Sequence, residues 1–213
     1  ISVRSRWAYV LGHRYGPLAY EDARIFCDNV DHTHNLYRLD GELRRSREDF
    51  VKHFQDKYDM RRPPIWAVCE ICSLGQISRF YKSLRDRQDR KAIADTYGVD
   101  EKVLGSFLHH LTVVRNHAAH HGRIWNRKFV FEIALPRRPR ALAANFAVSL
   151  ESERRIYNTL TMLLHLLETI EPTSHLPAQM CQHIESLDSA FHPQMGFPAD
   201  WKSRSLWAKC RSN

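Results

Sequence analysis

The segment Leu111-Thr-Val-Val-Arg-Asn-His-Ala-Ala-His-His-Gly-Arg-Ile-Trp-Asn-Arg127 crowds arginine, asparagine and histidine into the end of an apolar helix and then breaks at Gly122. A solvated helix end seldom needs that mixture, whereas a site that handles phosphate and moves protons does. Cleavage of RNA requires the 2′-hydroxyl to lose a proton, the leaving 5′-oxygen to gain one, and the anionic phosphate to be stabilised. A histidine side chain, with an ordinary pKa of about 6.5, serves either proton step near neutral pH. An arginine offers paired donors to phosphate oxygens, and an asparagine orients base or phosphate by hydrogen bonding. No metal is required by such a scheme, and no acidic cluster of the metal-binding kind sits beside the segment.

Helical spacing sorts these residues. Leu104, Leu108 and Leu111 form an apolar stripe, and Arg115, four residues on, is expected along it, where a permanent charge must meet an anion or an open cleft. Asn116 and His120 are four apart and fall on the neighbouring strip, about 100° round the helix. Arg115, Asn116 and His120 are therefore the candidate catalytic residues. His121, Arg123, Asn126 and Arg127 are candidates for RNA contact or for holding the helix end, and Trp125 for packing. His117 and His121 have the H-x3-H spacing of a zinc pair without an evident third ligand. Neither a metal nor a cofactor is expected. His109 and His110 read most simply as surface or helix-flank residues.

The elements that must position this segment read as all-α. Val3, Trp7, Val10 and Leu11 mark a helix over Ser2–Tyr15, stopped by Gly16-Pro17. Tyr20–Val30 reads as a second short helix and Asp31–Leu39 as a loop or broken helix. Ser46 with Asp49 resembles a capping box for a helix through Tyr58. Pro63-Pro64 separates that helix from one of five turns over Ile65–Leu84, with Gly75 as a tolerated interruption. The run Arg85–Lys91 has mixed charge and reads as solvated surface. Asp100 caps the motif helix, about residues 100–121, and Gly122 punctuates it. Phe129–Leu135 reads as extended, Pro136–Arg140 as a basic loop, Glu151–Glu171 as a strong helix stopped by Pro172, and Leu176–Leu187 as a further helix. One domain is expected over 1–190, with 191–213 a tail of low periodicity.

Bulk properties narrow the function. The 213 residues are 43% hydrophobic and 26% charged, ordinary for a globular chain. The net charge of +8 favours an acidic partner such as nucleic acid. No apolar run reaches membrane-spanning length and no secretory leader opens the chain. Five cysteines at wide spacing argue for reduced thiols in a cytosol. Cys69 and Cys72 make one C-x2-C without a second pair, inside an apolar run where thiols behave as small hydrophobes. Ile at position 1 suggests that a native N-terminal segment precedes this one.

Arg115-Asn-His-Ala-Ala-His120 resembles the R-x4–6-H signature of HEPN domains. Together with Tyr15, Glu48-Asp49-Phe50, Pro63-Pro-Ile-Trp66, Leu74-Gly75, His120-His121-Gly122-Arg123 and Trp125-Asn126-Arg127, the chain over about residues 1–130 is similar to the Abi-like (AbiD/AbiF) family of bacterial abortive-infection proteins. The resemblance implies a HEPN-like antiparallel helical bundle with additional helices. It implies a metal-independent endoribonuclease of the bacterial cytoplasm, acting in phage defence or as a toxin and leaving a 2′,3′-cyclic phosphate. Its partners would be substrate RNA, with a regulatory or antitoxin RNA possible, and a second copy completing a composite active site. The alternative is a HEPN module that holds RNA or a partner without cutting.

Overall fold

Helix-forming stripes and side-chain caps account for the architecture of the computed structural model, which describes residues 1–58, 61–149 and 154–212. Among these there is no β-strand beyond one isolated antiparallel bridge between Phe26 and Leu84, so the fold is all-α. The chain forms two compact units, residues 1–95 and 96–213.

Six helices build the first unit: α1 (Ser2–Tyr15), α2 (Asn29–Arg45), α3 (Asp49–Tyr58), α4 (Ile65–Ile71), α5 (Leu74–Ser83) and α6 (Arg87–Asp95). Trp7 and Leu11 of α1 are fully buried, and the Trp7 ring stacks on Phe80 at 5.4 Å. Tyr15 and Pro63, two residues that carry the family resemblance, help to hold this unit together. The Tyr15 hydroxyl donates to Asp89 (2.9 Å), and Tyr20 donates to the carbonyl of Pro63 (2.7 Å).

Four readings of the sequence need correction here. Residues 31–39 are not a loop, because α2 runs unbroken from an Asp28 cap whose carboxylate accepts from the backbone of Val30 and Asp31. Its buried stripe is His32, Asn35, Leu39 and Leu43, at a regular helical period. Half of that stripe is polar, so hydrophobicity alone hides it. Residues 20–30 are not one helix: two 3-10 turns, Ala19–Glu21 and Ala23–Ile25, lead into residues 26–28, where Cys27 N–H donates to Ser83 O, and α2 begins at Asn29. The expected five-turn helix is two, broken at Cys72-Ser73. Ser73 and Gln76 make a full capping box there, starting α5 afresh, and Gly75 lies within its first turn. The charge run Arg85–Lys91 is only partly solvated: Asp89 is 1% exposed and clasped by Arg14 and Tyr15, and Arg85 donates to the carbonyl of Phe26.

The second unit comprises α7 (Glu101–Ala119), α8 (Arg140–Ala143), α9 (Ile156–Ile170), α10 (Leu176–Glu185) and α11 (Ser205–Ser212). Asp100 caps α7 as expected, accepting from Lys102 N–H at 2.8 Å. The expected start of the α9 helix, Glu151–Glu153, lies outside the described residues. Residues 129–135 are irregular rather than extended, fixed by Phe129 N–H to Arg154 O (2.8 Å) and Ala134 N–H to the Ser106 hydroxyl (2.8 Å).

The aperiodic stretch after His192 forms 3-10 turns and α11. It delivers Phe197, Trp201 and Trp207 to one cluster with Tyr157, whose ring lies 13° from parallel with Trp207 at 5.6 Å. Aromatic burial of that kind contributes about 0.5–1.5 kcal/mol per ring pair beyond area alone. Val114, Ile124 and Phe129 join the same cluster, so the core of this unit grips the motif helix and the turn that follows it.

Candidate functional site

The buried stripe of α7 is Val103, Phe107, His110 and Val114. Leu104 and Leu108 are also buried, but Leu111 is half-exposed and Arg115 is exposed. Arg115 therefore does not continue the apolar stripe. It sits one residue past Val114, about 100° round the helix, and the stripe continues instead into half-buried His117. The Arg115 Nη1 donates to Asn116 Oδ1 at 3.3 Å, so the two side chains are joined at the surface. His120 is exposed as well and forms the C-cap, its backbone N–H still bonded to Asn116 O at 3.1 Å. The three candidate catalytic side chains thus occupy the last, solvent-facing turn.

That turn closes in an orderly way. Gly122 N–H donates to His117 O (2.7 Å) and His121 N–H to Ala118 O (3.0 Å), the paired bonds of a Schellman motif. The left-handed position falls on His121, φ 55°, not on the glycine. Glycine is favoured one step later for space: a Cβ at 122 would lie 3.0 Å from the His117 carbonyl oxygen, a contact that the turn could make only by shifting. A non-glycine residue in the left-handed region costs of order 1–3 kcal/mol. His121→Gly should therefore raise stability by about 1 kcal/mol, whereas Gly122→Ala should lower it by about the same amount and displace His120. Urea unfolding of both variants checks the pair of signs.

Past the turn, Arg123 is exposed and Arg127 half-buried. The backbone carbonyl of Asn126 accepts from Arg155 Nη1 at 2.5 Å, and its side-chain Oδ1 is buried without a partner among the described residues. Trp125 is 39% exposed and packs in an edge-to-face arrangement with Phe191, ring centroids 5.3 Å apart. Structure thus brings Arg115, Asn116 and His120 onto one exposed helix end. His121, Arg123, Asn126 and Arg127 follow in the turn that anchors it.

One positioning residue went unread in the sequence. His110 is not a flank residue but fully buried. Its Nδ1 meets the carbonyl of Phe131 at 2.7 Å and its Nε2 the hydroxyl of Thr159 at 2.8 Å. A carbonyl can only accept, so Nδ1 carries a proton, while the Thr159 hydroxyl, able to donate or accept, completes the ring's bonding. Burial lowers its pKa from the ordinary histidine value, against the opposing bond to Phe131. His110 ties α7 to α9 and to the segment after the motif. The 103–107–110–114 spacing was the signal that could have found it.

Among the described residues no helix is long and apolar enough to cross a membrane, and no group of three or more His, Cys, Asp or Glu could hold a metal ion. Compared with known families, residues 1–126 match the family described as Abi-like protein, a span that ends within the motif turn. No curated protein and no solved structure matches the chain.

Proposed function

The chain belongs to the Abi-like family, and from that footing we propose that it is a HEPN-type endoribonuclease of bacterial abortive infection, cutting single-stranded RNA without a metal. The family supports a defence role. The observation that carries the enzymatic reading is the exposed Arg115–Asn116–His120 set on the final turn of α7, with Asn116 holding the guanidinium.

In the proposed reaction, a histidine takes the 2′-hydroxyl proton as that oxygen attacks phosphorus. The P–O5′ bond breaks, the 5′-oxygen receives a proton, and a 2′,3′-cyclic phosphate remains. Arg115 donates to the nonbridging oxygens, where charge builds up. His121, Arg123, Asn126 and Arg127 contact RNA or hold the turn, and exposed Arg137, Arg138 and Arg140 extend the positive surface.

Two proton transfers need two groups, and each chain offers one His120. An exposed trio also lacks the enclosure in which oriented donors act most strongly on a transition state. Both needs are met if a second copy docks at this helix end, giving a homodimer with a composite site. Val130 (80% exposed) and Phe131 (46% exposed), the latter packed on His109 of α7, offer apolar area for that contact. The proposed setting is the bacterial cytoplasm.

The reading depends on the substrate's own nucleophile. The full chain should shorten a single-stranded oligoribonucleotide and leave intact the same oligonucleotide carrying 2′-deoxyribose throughout. RNA that is bound but not cut would instead favour a non-catalytic binding module.

A further inference from the structure

The first unit holds a pair of cations that the proposed reaction does not use. Arg79, on α5, is half-buried, and its Nε donates to Oδ1 of Asn35, a buried residue of α2, at 3.0 Å. One turn along α2 from His34, Arg38 donates through Nε to His34 Nε2 at 2.8 Å. That bond makes the imidazole an acceptor. Among the described residues, neither guanidinium forms an ion pair.

Two other arginines of this unit are neutralised by carboxylates. Arg14 meets Asp86 and Asp89, and Arg62 meets Asp40 and Glu21, all within 2.9 Å. Glu42, one turn on along α2 from Arg38, is held by Arg45 at 2.9 Å. Arg79 is left with burial and then the like charge of Arg38, both of which lower its pKa. One turn earlier on α5, Gln76 is 2% exposed; its Oε1 is used by Ser73 N–H, and its Nε2 is a buried donor without a partner. The neighbourhood is rich in donors and poor in acceptors.

A half-desolvated guanidinium beside another cation is unfavourable unless an anion relieves it. Asn35 fixes the Nε side of Arg79 and leaves the Nη edge, a planar fork suited to two oxygens of one tetrahedral oxyanion. We propose that Arg79 and Arg38 form a binding site for a phosphate dianion, separate from the Arg115–His120 end. Two unneutralised cations match two negative charges, as on inorganic phosphate or a terminal phosphomonoester, better than the single charge of a carboxylate or an internal phosphodiester.

Thermal unfolding of the full chain, titrated with sodium phosphate against sodium chloride at equal ionic strength, tests this without any reference to cleavage. Phosphate should stabilise saturably. Arg79→Gln and Arg38→Gln should each raise its Kd about tenfold, the size of one lost charge-assisted bond. Arg24→Gln, whose guanidinium is already held by Asp22 at 2.8 Å, should leave it unchanged. A wild-type chain that responds alike to both salts, or substituted chains that bind phosphate like wild type, would overturn the site. Should Arg79→Gln fail to fold, exposed Arg38 decides alone.

The source of the phosphate is read with 2′-deoxy oligonucleotides, which lack the attacking hydroxyl. Tighter binding of a 5′-phosphorylated strand than of its 5′-hydroxyl twin, abolished by Arg38→Gln, assigns the site to a nucleic acid end. Equal binding of both strands, with inorganic phosphate still bound, assigns it to a small free phosphate.

Discussion

Alanine at Arg115 or at His120 should lower the proposed RNA cleavage by at least about 100-fold, in line with the 10²–10⁴ contributed by a positioned general acid–base and the 10²–10³ by an oxyanion donor. Neither change should move the unfolding temperature. Both side chains are exposed at the end of α7, and Arg115 is bonded only to its neighbour Asn116 among described partners. That separation of activity from stability is what distinguishes a reacting residue from a scaffold residue. Asn116→Ala should fall between, since it releases the arginine without removing it. Full activity in either alanine variant would show that the trio is misassigned.

His110→Ala should do the reverse, lowering stability first. The side chain is fully buried, and its loss strands the Phe131 carbonyl and the Thr159 hydroxyl while leaving a cavity beside Phe129. Such a change costs about 3 kcal/mol, a drop on the order of 10 °C for a chain of this length.

The same residue gives stability a pH dependence of definite sign. Burial depresses its folded pKa, so the unfolded chain takes up the proton first, from about pH 6.5 downward. Its contribution is complete above that pH and is lost as pH falls through the depressed folded value. His32 is depressed by burial in the same direction. The fall in unfolding temperature from pH 7 to pH 5 should therefore be shallower in His110→Phe than in the wild type, though not abolished. An identical slope in the two proteins would contradict the buried neutral ring.

How much of this was legible depended on whether burial was written in apolar residues. α1 and α7 were readable because Trp7 and Leu11, and Val103 to Val114, follow helical spacing, with an Asp100 cap marking the start of α7. α2 was not, because His32 and Asn35 hold core positions through specific bonds: His32 to the Glu21 carbonyl, Asn35 to Arg79. His110 was missed for the same reason. The break between α4 and α5 was hidden because an apolar run crosses it, and only the reciprocal bonds of Ser73 and Gln76 reveal it. Arg115 was placed one strip too far inward because Leu111, its guide, is itself only half-buried. Residues after 192 looked aperiodic because Phe197, Trp201 and Trp207 reach one cluster from separate turns.

The family and the all-α fold stand on firm residues; the reaction is the claim that calls for direct measurement. Mass analysis of RNA incubated with the purified full chain in excess chelator addresses it in one step. The proposed site predicts undiminished cleavage, with one product ending in a 2′,3′-cyclic phosphate and the other beginning with a 5′-hydroxyl. Activity that disappears in chelator and returns with magnesium, giving 3′-hydroxyl and 5′-phosphate ends, would contradict it.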